Sequence, residues 1–119
     1  MTYQKLKMIK GCSFNFKAEI RDEQGVILNM TGLSPRFTMN RREYNSEAIL
    51  TATQENGMIE VVDNIINIRI SSDTTKDIPF DYYVYQLDII DGLGEISCFL
   101  RGRMHFYDNI NYKEEVESV

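Results

Sequence analysis

The 119-residue sequence contains no tryptophan, a single histidine, two prolines and two cysteines. Each scarcity removes a class of chemistry. Cys12 and Cys98 stand far apart, and no CxxC pair or Cys/His cluster exists to hold zinc. They read as two reduced, buried small hydrophobes. His105 has no second histidine or cysteine near it in sequence, so it supports neither a metal site nor a nucleophile pair. No apolar run approaches the ~20 residues that cross a bilayer. The opening "MTYQKLKMIKGCSF" has lysines but not the apolar stretch of a secretory signal.

Signature motifs are missing too. There is no P-loop, GxSxG, HExxH or calcium-loop pattern. The glycines of "GLG" at 92–94 lack the third glycine and the helix of a dinucleotide site. Asp88 and Asp91 are three apart on an expected strand, so they point to opposite faces. Paired acid–base work needs two carboxylates converging on one cleft. The chain is therefore expected not to be an enzyme, with no catalytic residues, cofactor, metal or small-molecule substrate.

What is present is ordinary for one folded domain: 43% hydrophobic and 26% charged residues. A chain of this length buries roughly two thirds of its unfolded surface, enough for one core without staples. The net charge of −5 argues against a general nucleic-acid binder. That charge is unevenly spread. Residues 1–42 hold eight Lys/Arg against three Asp/Glu, and residues 43–119 hold five against fifteen. Scattered solvated charge explains this, and so do complementary poles that dock neighbouring copies head to tail.

The dominant hydrophobic period is two, the period of strands. In "SFNFKAEIRD", Phe14, Phe16, Ala18 and Ile20 point one way and the polar residues the other. A turn at "DEQG" follows, with Gly25 free to take a positive φ. "SPRFTMNRR" places Phe37 and Met39 on one face. "EYNSE" reads as a loop and "AILTAT" as a short strand. In "GMIEVVDNIINIRI", a two-residue turn at Asp63-Asn64 sets Val61 against Ile66 and Ile59 against Ile68. "SSDTTKDIP" reads as one helical turn near 72–77, with Ser72 as N-cap and Pro79 as stop.

The stretch "YYVYQLDIIDGLGEISCFLRGRMHF" reads as a hairpin turning at Gly92-Leu93. Ile89 then faces Ile96, Leu87 faces Cys98, Tyr85 faces Leu100, and Tyr83 covers Gly102. Cys98 is inside in this register. The outer face pairs Arg101 with Val84, Arg103 with Tyr82, and Phe99 with Gln86. Tyr82, Val84, Phe99, Arg101 and Arg103 thus form a mixed aromatic–arginine patch, the composition that protein interfaces prefer.

Short strands separated by turn signals imply an all-β, single-domain antiparallel β-sandwich, immunoglobulin-like or Greek-key, of about seven to nine strands. The helical turn leading into "PFDYYVYQLDI" resembles a sandwich corner of immunoglobulin-like domains. Several motifs in order add a second resemblance: Gly11 with Phe14 and Phe16, the Asp22–Gly25 turn, Met30-Thr31-Gly32, "PRFTMNRR", and "YVYQLDIIDGLGEISCFLRG". On these the chain resembles the N-terminal domain of baseplate upper proteins of tailed phages and related tail-associated sandwiches. The resemblance implies assembly in place of catalysis, and it carries over no catalytic residue.

Together these readings imply a β-sandwich domain over 1–110 and a flexible acidic tail over 111–119. The expected function is that of a non-enzymatic virion structural protein of baseplate, tail or neck, made in the bacterial host cytoplasm and acting by protein–protein docking. Its partners are other virion proteins and copies of itself, with no nucleic acid and no membrane. The alternative is a ligand- or carbohydrate-binding β-sandwich module.

Overall fold

The computed structural model describes residues 2–41, 48–79 and 82–107. Its strands are β1 (Thr2–Tyr3), β2 (Leu6–Ile9), β3 (Phe14–Ala18), β4 (Ser34–Arg41), β5 (Ala48–Ala52), β6 (Ile59–Val62), β7 (Ile65–Ile70), β8 (Tyr83–Ile90) and β9 (Ile96–Tyr107). One helical turn, α1 (Ser72–Lys76), interrupts them. Six strands form one sheet in the order β1-β9-β8-β4-β5, with β2 also paired to β9, and β3-β7-β6 form the other. This is an all-β, immunoglobulin-like sandwich. Pairing is antiparallel except at one edge, where β1 and β2 run parallel to β9.

The alternation read from the sequence decides which faces meet. Phe14 and Ala18 of β3, Phe37 and Met39 of β4, and Ile66 and Ile68 of β7 are buried between the sheets. Phe37 lies 6.2 Å from Phe14 and stacks on Tyr85 of β8 at 5.5 Å, ring centroid to centroid. Antibody domains put a strand-C tryptophan and an inter-sheet disulfide in this region. Here three rings bridge the sheets, and both cysteines are half-buried, where full burial was expected.

The helical turn lies where expected, at Ser72–Lys76, but its cap is one residue earlier. Ser71, not Ser72, is the N-cap, its Oγ accepting from the Thr74 amide at 3.3 Å. Either of two adjacent serines can cap a helix, and sequence does not separate them. Thr75 is fully buried and donates its hydroxyl to the Cys12 carbonyl at 2.8 Å. Lys10 Nζ donates to the Ile78 carbonyl at 3.0 Å, so the turn is fastened to the β2–β3 connection. The Tyr83 hydroxyl donates to the Pro79 carbonyl four residues upstream. That is the tyrosine corner of immunoglobulin-like folds.

The β6–β7 hairpin has the expected register, with Ile59 opposite Ile68 and Val61 opposite Ile66. Asp63 and Asn64 take φ of 53° and 63°, the left-handed pair that a type I′ turn requires.

The β8–β9 hairpin differs from expectation. Its loop runs from Asp91 to Glu95, with the Asp91 amide donating to the Glu95 carbonyl at 3.0 Å. Asp91 Oδ1 accepts from the amides of Leu93 and Glu95, and Gly94 takes φ +86°. Ile96 therefore opposes Ile90, and Cys98 opposes Asp88. A bulge follows. Beyond it Leu87 faces Leu100, Tyr85 faces Gly102 and Tyr83 faces Met104. Phe99 is the extra residue, and it packs against the core. Cys98 shares the side of Asp88 instead of lying inside beside Leu87.

The expected loop at 43–47 and the acidic tail at 111–119 lie outside the described residues.

Candidate docking face

The outer surface of the six-stranded sheet collects most of the side chains singled out in the sequence. On β8, Val84, Gln86 and Asp88 point outward, since their neighbours Tyr83, Tyr85, Leu87 and Ile89 fill the core. On β9 the outward set beyond the bulge is Arg101, Arg103, His105 and Tyr107, alternating with inward Leu100, Met104 and Phe106.

The expected partners on this face shift by two residues. Arg101 lies opposite Gln86, not Val84, and Arg103 lies opposite Val84, not Tyr82. The longer loop and the bulge each displace β9 by one position, and two displacements restore the faces. Val84 is buried among its long neighbours, and Arg103 is exposed. Tyr82, one residue ahead of β8, is 75% exposed. Phe99 does not join them, because the bulge turns it toward the core.

Sequence reasoning missed the β1 and β2 contribution. Tyr3 aligns with Arg101, Lys7 with His105 and Ile9 with Tyr107 across the parallel ladder. Leu6 and Met8 point inward, so Lys7 and Ile9 point out. Tyr3, Ile9 and Tyr107 are exposed, and the rings of His105 and Tyr107 stand 5.9 Å apart. The alternation in "KLKMI" was the available signal.

At the far side of the face a carboxylate is held fast. Asp88 is buried, with Arg36 Nη2 at 3.2 Å from Oδ2 and Gln86 Nε2 donating to Oδ1 at 2.7 Å. These residues floor a shallow, polar concavity of about 360 Å³ that also includes Thr38, Asn40 and Thr51. Both Asp88 oxygens are engaged, which suits a fixed structural ion pair more than a general base. Burial pushes the Cys98 thiol pKa up, and the Asp88 charge adds to it. A second concavity of about 470 Å³ opens between β2 and β3 at the sandwich edge, where Lys7 and His105 meet Asn15 and Phe16. Among the described residues, no three His, Cys, Asp or Glu converge as metal ligands.

Lys7, Arg36, Arg101 and Arg103 thus share a face with one carboxylate, Asp88, among its described strand residues. On a chain of net charge −5 this is a locally cationic surface flanked by tyrosines.

No protein-family model matches the chain, and no curated protein matches it in sequence. Solved structures do resemble it. A chicken TCR superposes with a TM-score of 0.55 at 10% identity, over 92% of this chain and 57% of that one. The chain thus spans little more than half of that receptor's length. Murine CRIg gives a TM-score of 0.40 at 8% identity, over 86% of this chain and 91% of that one. The SrpA adhesin of Streptococcus sanguinis gives 0.45 at 10%, over 90% and 56%. At such identities the likeness to the TCR defines a class of architecture, the immunoglobulin-like sandwich, and nothing finer.

Proposed function

We propose that this chain is a non-enzymatic docking module, a structural protein of the baseplate, tail or neck of a tailed-phage particle. It contacts other virion proteins through the outer face of its six-stranded sheet. One observation carries the docking reading: Arg101, Arg103 and Lys7 lie beside exposed Tyr3, Tyr82 and Tyr107 on one continuous face. Arginine and tyrosine combine apolar area with directed polar contacts, and both are over-represented where proteins bind each other. The assignment to a phage particle rests on the ordered motifs from Gly11 to Gly102. The ligand-binding alternative is weaker, because the concavity beside Asp88 is shallow and polar and has no exposed ring on which a sugar could stack.

The test uses particles purified by density gradient from a producing culture. The chain should be present in them, and a Tyr82→Ser/Arg103→Glu variant should fold yet fail to incorporate. Absence of the wild-type chain from particles refutes the virion role. Normal incorporation of the variant refutes this face.

A further inference from the structure

Among the described residues, one end of the fold gathers acidic side chains. Ser34 pairs with Ile90, Ile90 with Ile96, and Ala18 with Ile66. The Met30 amide donates to Asn64 Oδ1 at 2.9 Å, tying the β3–β4 connection to the β6–β7 turn. Three connections therefore share one end of the sandwich: 19–33, the Asp63-Asn64 turn and the Asp91–Glu95 loop. That end presents Asp22, Glu23, Asp63 and Glu95, all exposed, together with Asp91. Its one guanidinium among the described residues, Arg21, is taken up by Glu19 at 2.7 Å and the Gly25 carbonyl at 2.7 Å.

The cationic patch lies elsewhere. Arg103 is seven residues along β9 from Ile96, roughly 23 Å at strand rise. Lys7 sits on the neighbouring strand, opposite His105. Screening reduces interactions beyond about 8 Å at physiological salt, so the two regions of one molecule barely attract each other. A second molecule can bring opposite charges into contact.

We propose that the acidic loop end of one copy docks on the cationic β2/β9 face of the next, head to tail. This rests on the docking reading of that face and names one occupant for it. Because the two patches differ, each contact leaves one of each kind unsatisfied. Copies therefore continue into a row or close into a ring, and do not stop at a twofold pair.

The experiment is sedimentation and light scattering over a range of concentration and salt, on wild type, Lys7→Glu/Arg103→Glu, Glu23→Lys/Glu95→Lys, and an equal mixture of the two variants. All four side chains are exposed, so the fold should persist, as circular dichroism will show. If either variant unfolds, glutamine replaces the reversed charge, and monomeric behaviour of each neutral variant alone then stands in for the mixture. Wild type should exceed monomer mass at low salt and fall to monomer by roughly 0.5 M. Each variant alone should remain monomeric at every concentration. Mixed, they should associate again, since reversed poles complement each other. A wild type that is monomeric throughout overturns the proposal, as does salt-insensitive association or a mixture that stays monomeric. A monomeric wild type that still enters particles leaves the docking face standing with a different occupant.

Discussion

The Gln4 carbonyl oxygen stands 2.0 Å from where a Cβ on Gly102 would lie, so only glycine lets the N-terminal segment pass so close to β9 there. Tyr85, opposite Gly102, donates its hydroxyl to the same oxygen at 2.5 Å. The glycine is thus required by the close approach of the Gln4 backbone, and the ring opposite it is Tyr85, where Tyr83 was expected. Gly102→Ala should cost about 1–3 kcal/mol, the usual cost of overpacking. Hydrogen exchange should show faster loss at the amides of Gln4 and β2 than at β7.

Tyr83→Phe removes the tyrosine-corner hydrogen bond and leaves the ring against Phe106 at 5.9 Å. We expect a loss of about 0.5–1.5 kcal/mol in a urea titration, with an unchanged slope. A change in slope would mean that the corner also shapes the unfolded ensemble.

Asp88 and Arg36 form a pair in which the carboxylate is buried and the guanidinium only partly so. Arg36→Leu alone should cost about 1–3 kcal/mol, because it strips a buried anion of its cation. The double variant Arg36→Leu/Asp88→Leu should recover most of that loss. A double-mutant cycle reading no coupling would place the stabilisation elsewhere.

Cys98 should be a slow thiol. In a Cys12→Ser background, alkylation by iodoacetamide should rise with a midpoint above the ordinary thiol range, since burial and the Asp88 charge both disfavour the thiolate. Asp88→Asn removes one of these causes and should lower the midpoint. An unmoved midpoint would leave burial as the whole cause.

Phe99→Ser should lower the melting temperature, because Phe99 packs against the core. Its half-burial keeps the cost below the ~3–5 kcal/mol of a fully buried phenylalanine. An unchanged melting temperature would return Phe99 to the outer surface.

The fold was legible wherever a local device fixed it. Asp63-Asn64 set the β6–β7 register, and alternation sorted Phe14, Phe37 and Met39 inward. The β8–β9 partners were not legible, because the Asp91 side chain shapes a longer loop and Phe99 adds a bulge. A net shift of two leaves side chains on their faces, so Leu87 and Leu100 read correctly as core although their expected partners were wrong. On the outer face of the six-stranded sheet, Arg101 and Arg103 were placed from alternation alone. Tyr3 and Lys7 were not, since a parallel ladder between the two ends of the chain leaves no local mark in sequence.

That ladder also bears on the order in which the domain can be completed as it is made. Leu6 finds its place beside Met104, and Met8 beside Phe106. During synthesis β3, β6 and β7 can pair early, while β1 and β2 have left the ribosome but wait for β9 to follow them. A product stalled before β9 would leave the apolar side of β2 uncovered, with Leu6 and Met8 open to chaperones and proteases. Because β1 and β2 pair with β9 among the described residues, that edge of the sheet closes only once β9 has been translated.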